Sequence, residues 1–343
     1  MTRRTRIPVS ATPLGLPEAP LGALDWTAAF ARVDAANHSS RWLRAPEKAP
    51  TLAEAMLLGD AAESAIHLAR DLRSGEARGD EGTRYQAALV VADGVLAAGL
   101  QWLAHEGFGC SFLDGHRLGD LEDALERARP RLRETLVVVA HPVGDDAATR
   151  HALDAVTGTL RTAGLEDRAR WIAFAPPRSP LWEAATRWRG RFALPAWPGA
   201  DALACGAAGA FLAELGGVDA VDLLRAARDV DEWTEDPEWA HNPAAWIAGL
   251  LARGPVGWVA DRQALEPFGR WAELAAASAG FALWRGDPAV PTPHPRLVLC
   301  GAETPAWVAG PALVLRVRIW EPRSRGALMA LFERAFELAA ALS

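Results

Sequence analysis

The run Leu136-Val137-Val138-Val139-Ala140 limits the fold more than any other stretch of this chain. Its apolar residues leave no polar face, and the run ends before it reaches helical length. A strand buried on both faces belongs inside a parallel sheet with helices covering each side. Similar short apolar runs recur at 86–91, 110–114, 171–175, 256–260, 297–300 and 313–319. Helix-patterned segments follow several of them, at 118–127, from about 147, and at 326–342. The recurring strand, loop and helix predict an α/β fold of two three-layer parallel-sheet domains in series. A length of 343 residues suffices for two domains of ordinary size.

The region ahead of the first run has a different texture. Residues 1–22 are rich in proline and small residues, and read as an arm without periodicity. Residues 24–37 read as a helix with Trp26, Phe30 and Val33 on one face, and 51–59 and 61–74 as two more helices. Thr51 with Glu54 three residues on has the spacing of a capping box.

Composition excludes several classes. Half the residues are hydrophobic and 23% are charged, which fits a globular chain. A net charge of -7 argues against nucleic acid as a partner. No apolar run has the length of a membrane span, and no apolar segment follows the basic N-terminal residues as a secretion signal requires. Cys110, Cys205 and Cys300 are widely spaced in apolar settings, so they read as buried thiols in a reducing compartment, the cytoplasm. The eight histidines show no metal-binding spacing, and no nucleophile motif surrounds Ser179, Ser278 or Cys300. Neither a metal nor a cofactor is expected.

The middle of the chain, 187–199, is broken by Gly190, Gly199, Pro195 and Pro198 and reads as a shaped loop ahead of a helix rich in small residues, 200–215. Arg191 and backbone N–H groups there suit an anion. A kinked connection carrying a surface arginine is the alternative. Gly190-Arg191-Phe192 followed by Gly199 resembles the Gly-Gly-Arg-Phe/Tyr-Ser loop of the glucose-6-phosphate isomerases, with Arg189 and Ala193 at its first and last positions. The run 215–227 resembles that family's Ala-Gly-Ile-Asp segment and its helix, and His241-Asn242-Pro243-Ala244 resembles its Glu-Asn-Pro-Ala.

The resemblance covers most of the chain from about residue 80. It implies two sugar-isomerase (SIS) domains, at 81–235 and 236–343, after an N-terminal arm and helices, 1–80. It also implies a homodimer, for which the 15 tryptophans offer interface material. The ligand implied is a sugar or sugar phosphate.

The motifs that carry the family's chemistry are altered. Its Gly-x-Gly-Gly-Ser-x-x-Gly loop falls on Ala92, Asp93, Gly94, Val95, Leu96 and Gly99. Its Ser-Lys-Ser-Gly-Thr-Thr loop falls on His141, Pro142, Val143, Gly144, Asp145 and Asp146, where the aspartates would cap a helix and repel a phosphate. In Leu-x-x-Glu-Ser-x-Gly-Lys, the glutamate that moves a proton between C1 and C2 falls on Ala277 and the lysine on Phe281, while Ser278 and Gly280 keep the register. Glu273 lies about one helical turn earlier. The one lysine of the chain is Lys48, so the family's lysines have no counterpart, and His294 reads as a loop residue.

The resemblance thus implies binding positions at Gly94, Gly144, Arg191 and Ser278, and no catalytic residue. The first reading is a catalytically silent relative that binds a carbohydrate derivative or acts in assembly or regulation. The alternative is an active isomerase of glucose 6-phosphate and fructose 6-phosphate with displaced residues. In reserve is an SIS-fold enzyme with an unphosphorylated substrate.

Overall fold

The computed structural model describes residues 7–36, 52–79, 82–92, 94–104, 108–113, 118–142, 147–166, 168–194, 206–287, 294–301, 303–306, 308, 310–318 and 321–343. Its strands are β1 (Val9–Leu14), β2 (Ala87–Val91), β3 (Gly109–Leu113), β4 (Thr135–Ala140), β5 (Trp171–Ala175), β6 (Gly190–Ala193), β7 (Val256–Ala260), β8 (Leu283–Arg285), β9 (Arg296–Cys300) and β10 (Ala312–Val317). Its helices are α1 (Glu18–Gly22), α2 (Trp26–Asp34), α3 (Leu52–Ser74), α4 (Gly94–Leu103), α5 (Leu118–Ala128), α6 (Ala147–Thr162), α7 (Pro180–Ala184), α8 (Ala207–Leu215), α9 (Ala220–Trp233), α10 (Pro243–Ala252), α11 (Glu266–Ser278) and α12 (Ser324–Leu342). Two compact units result, Pro46–Ala220, and Met1–Ala45 together with Val221–Ser343.

The first unit, Pro46–Ala220, holds a wholly parallel sheet in the order β3-β2-β4-β5-β6. β4 is buried at every residue and lies in the middle, as its unbroken apolar run requires. On one face Leu89, Val137, Val139 and Ala173 meet α5, α6 and α7. On the other, Phe174 lies 5.2 Å from Phe192 and 5.5 Å from Phe211 of α8. Glu214, 2% exposed on α8, ties that layer together: it pairs with Arg70 at 3.2 Å and Arg73 at 3.1 Å on α3, and accepts the Ala220 N–H at 3.1 Å. A buried carboxylate is tolerated because every direction it faces is filled by a donor.

In the second unit the order is β1-β10-β9-β7-β8, parallel except for β1, which runs antiparallel to β10. The arm expected at residues 1–22 is therefore corrected over Val9–Leu14, which is an edge strand in register with Val317 through Ala312. An edge strand leaves one side unpaired and so tolerates Pro13, which hid it in the sequence. The N-terminal residues consequently group with the second sheet. The two helices read at 51–59 and 61–74 are one helix, α3; Thr51 and its expected cap lie outside the described residues.

Local chemistry sets the helix starts. Asp25 accepts the Ala28 N–H at 3.0 Å ahead of α2. Ser179 accepts the Trp182 N–H at 3.2 Å ahead of α7, with Pro180 in its first turn. Asn242 is fully buried, accepts from Ala244 and Ala245 N–H at 3.0 and 3.2 Å, and donates to the Thr234 and Asp236 carbonyls at 2.8 Å each. Pro243 follows it without loss, since its absent N–H would have had no helical partner. The Asn-Pro-Ala of the sequence is thus a helix start whose every polar group is used.

Each described tryptophan is buried or half-buried. Trp26, Trp239 and Trp246 form one cluster, with centroids 6.2 and 5.4 Å apart along it. Among the described residues no tryptophan is exposed, though several, Trp188 among them, are only half-buried.

Candidate functional site

In open parallel sheets, ligands sit beyond the carboxyl ends of strands where the order of connection reverses. In the first sheet that point lies between β2 and β4, because β3 is laid down on one side of β2 and β4 on the other. The residues leaving these strands are Ala92, followed by Gly94 at the start of α4, and His141 with Pro142. His141 is 1% exposed, and its N–H continues the ladder to the Phe174 carbonyl at 2.9 Å. A Cβ on Gly94 would meet nothing within 4 Å, so packing does not demand glycine there. Gly144, Asp145 and Asp146 lie outside the described residues, and with them the expected aspartate cap.

Arg191 requires a correction. The shaped loop expected around it is, from Gly190 to Ala193, the edge strand β6, paired with β5 from Ile172 to Ala175. Gly190 is a packing residue: an added Cβ would stand 2.9 Å from the Phe192 ring and 3.1 Å from Leu68. Nor does Arg191 open a helix. Its guanidinium lies 4.7 Å over the Trp182 ring, and Nη1 donates to Thr186 Oγ1 at 3.2 Å and to the Trp182 carbonyl at 3.4 Å. Three strand spacings, about 14 Å, separate β6 from β2. The first sheet therefore does not bring Arg191 to Gly94.

Ala277 and Ser278 form the exposed end of α11 in the second unit. The helix closes there on backbone bonds. Phe281 N–H donates to the Ala276 carbonyl at 2.8 Å and Gly280 N–H to the Ala277 carbonyl at 3.1 Å, with Gly280 left-handed at φ 84°. This explains Gly280 as the stop of a helix. Glu273, the nearest carboxylate along α11, accepts the Trp258 Nε1–H at 2.8 Å and is held on the β7 side of the helix. Sequence reasoning weighed Glu273 but not its indole partner, since a strand residue and a helix residue 15 positions apart give no periodic signal.

Burial pushes the Cys110 thiol up to about 12. Burial, then the Asp261 charge, push Cys300 to about 11 against the opposing influence of Arg316. Cys300 is buried and Cys110, expected to be buried, is only half-buried; both are held as thiols at neutral pH, which suppresses their nucleophilicity. In a Cys205→Ser background, native protein at pH 8 is expected to react with Ellman's reagent about 100-fold more slowly than a free thiol, and fully once unfolded. Prompt reaction of two native thiols would contradict the burial. Among the described residues no group of three or more His, Cys, Asp or Glu could hold a metal ion, and no helix is long and apolar enough to cross a membrane.

No family model matches the chain. Individual relatives do. It is 31% identical to a glucose-6-phosphate isomerase of Synechococcus sp. (strain JA-3-3Ab) over 215 residues, 60% of this chain and 40% of that protein. It is 32% identical to that of Citrifermentans bemidjiense over 217 residues, 60% of this chain and 41% of the relative. The chain is a homologue of the glucose-6-phosphate isomerases. Its match spans less than half the length of these relatives. The fold agrees: a crystal structure of a glucose-6-phosphate isomerase from Chlamydia trachomatis superposes with a TM-score of 0.80 at 14% identity, over 98% of this chain and 86% of that one. A hypothetical protein from Thermus thermophilus gives 0.69 at 15% identity, over 96% and 92%. Sheets flanked by helices, parallel but for β1, thus agree with the SIS architecture that the resemblance implies.

Proposed function

We propose that this homologue of the glucose-6-phosphate isomerases no longer isomerises, and acts by binding a carbohydrate derivative or by assembly. The observation that carries this reading is Ala277: the position of the family's base has no carboxylate, and Glu273 one turn away is engaged by Trp258. A positioned base is worth about 10²–10⁴ in rate, and an alanine supplies none of it. Gly94, Gly144, Arg191 and Ser278 are the positions from which a sugar or sugar phosphate would be held, by analogy with the family. A homodimer is part of this reading and rests on that analogy, since the described tryptophans are engaged inside the units. A cytoplasmic setting fits Cys110 and Cys300, which are both free thiols.

The test is purified protein with fructose 6-phosphate, coupled to glucose-6-phosphate dehydrogenase. The expected rate equals the blank. Sustained turnover that Glu273→Gln abolishes would establish the alternative, an active isomerase with a displaced base. Sedimentation at micromolar concentration tests the dimer, and a monomer alone would count against it.

A further inference from the structure

A cleft of about 450 Å³ opens at the amino-terminal edge of the first sheet, the edge opposite the β2/β4 switch point. That volume lies within the range of small-molecule sites, about 300–1,000 Å³. Two indoles form its apolar side. Trp171, the first residue of β5, is 8% exposed, and Trp188 packs against it with centroids 5.1 Å apart and planes inclined at 44°. Arg161, from the last turn of α6, and Arg168, from the short turn ahead of β5, line the same cleft with Glu166 and Thr157.

Three of these side chains are unengaged. Arg161, Arg168 and Glu166 are exposed, and among the described residues none of them has a hydrogen-bond or ion-pair partner. Among the described lining residues two guanidiniums stand against one carboxylate. Guanidinium forks bind carboxylate and phosphate oxygens in pairs. Carboxylate and hydroxyl oxygens accept hydroxyl protons. An indole offers a flat apolar body for the C–H face of a ring. An aliphatic anion would leave the indole face unused, and a neutral sugar would lack the charge-assisted pairing that the arginines offer.

We propose that this cleft binds an anionic monosaccharide: a pyranose ring laid on Trp188, its hydroxyls toward Glu166 and Thr157, and a carboxylate or phosphate substituent on Arg161 and Arg168. The cleft belongs to the first unit and Ala277 to the second, and the proposal stands whether or not the chain isomerises.

Calorimetric titration with D-glucuronate, glucose 6-phosphate and D-glucose tests it. At least one anion binds saturably at one site per chain, and glucose binds about tenfold or more weaker, because charge-assisted hydrogen bonds are lost. The stronger anion identifies the source as a sugar acid or a sugar phosphate. The Arg161→Gln/Arg168→Gln variant weakens that binding about tenfold or more while its own melting temperature stays at the wild-type value, since both side chains are exposed and unpaired. Trp188→Ala weakens it as well. If neither anion binds, if glucose binds as tightly, or if the double variant binds like wild type, the proposal is overturned. The last outcome would place the ligand elsewhere on the chain without bearing on isomerisation.

Discussion

Replacing Trp271 with alanine is expected to destabilise the second unit by about 3–5 kcal/mol, the range for deleting a large buried aromatic. Trp271 is fully buried in α11, and its ring lies 5.4 Å from Phe268 and 6.3 Å from Phe336 of α12. Phe268 in turn meets Phe332 edge-on at 4.9 Å. These four rings join α11 to α12, so alanine at 271 would open a cavity bounded by rigid neighbours. A second substitution separates volume from polarity. Among the described residues the buried Trp271 Nε1 has no hydrogen-bond partner. Phenylalanine would lose some packing but also remove that unsatisfied N–H, whose burial costs about 1–3 kcal/mol. Trp271→Phe should therefore lie much closer to wild type than Trp271→Ala. Urea unfolding, with unchanged slope, measures both. A Trp271→Ala protein within about 1 kcal/mol of wild type would refute this account of the core.

The strands that the sequence announces are those whose environment is uniform. β4 beyond its first residue, Thr135, and β5 throughout are apolar because both faces are covered, and the run is visible without neighbours. Among the edge strands β3 is legible at 110–114, but the others give no such signal: β1 contains Pro13, β6 begins at Gly190, and β8 is three residues long. Each is made a strand by one paired neighbour and a few inward side chains, such as Phe192 against Phe174. The candidate site divides in the same way. Loss of the base at Ala277 is legible because it depends on register alone. The indole bond that holds Glu273, the stacking of Arg191 on Trp182, and the convergence of Arg161 and Arg168 on two tryptophans are tertiary facts. They join residues whose spacing in the chain follows no period.

Gly269→Ala tests how Glu273 is held, and its sign is the informative part. Gly269 lies inside α11, where helix propensity alone would make alanine stabilising by about 1 kcal/mol. The space is already taken. A Cβ at 269 would stand 2.1, 2.3 and 2.4 Å from three carbons of the Trp258 ring. That ring is 3% exposed and reaches past the glycine to donate to Glu273, so it has little room to retreat. Overpacking typically costs about 1–3 kcal/mol, and more where the neighbour is rigid. Gly269→Ala is therefore expected to destabilise by about 2 kcal/mol or more, opposite to its propensity. In a Trp258→Phe background the smaller ring vacates the space, and the same change should become neutral or stabilising. The two substitutions would then be coupled by about 2 kcal/mol or more in a double-mutant cycle. Stabilisation by Gly269→Ala alone would mean that the indole does not rest there and that Glu273 is not restrained by it. Isomerisation should stay at the blank in all of these proteins, because releasing Glu273 still leaves it a full helical turn from Ala277.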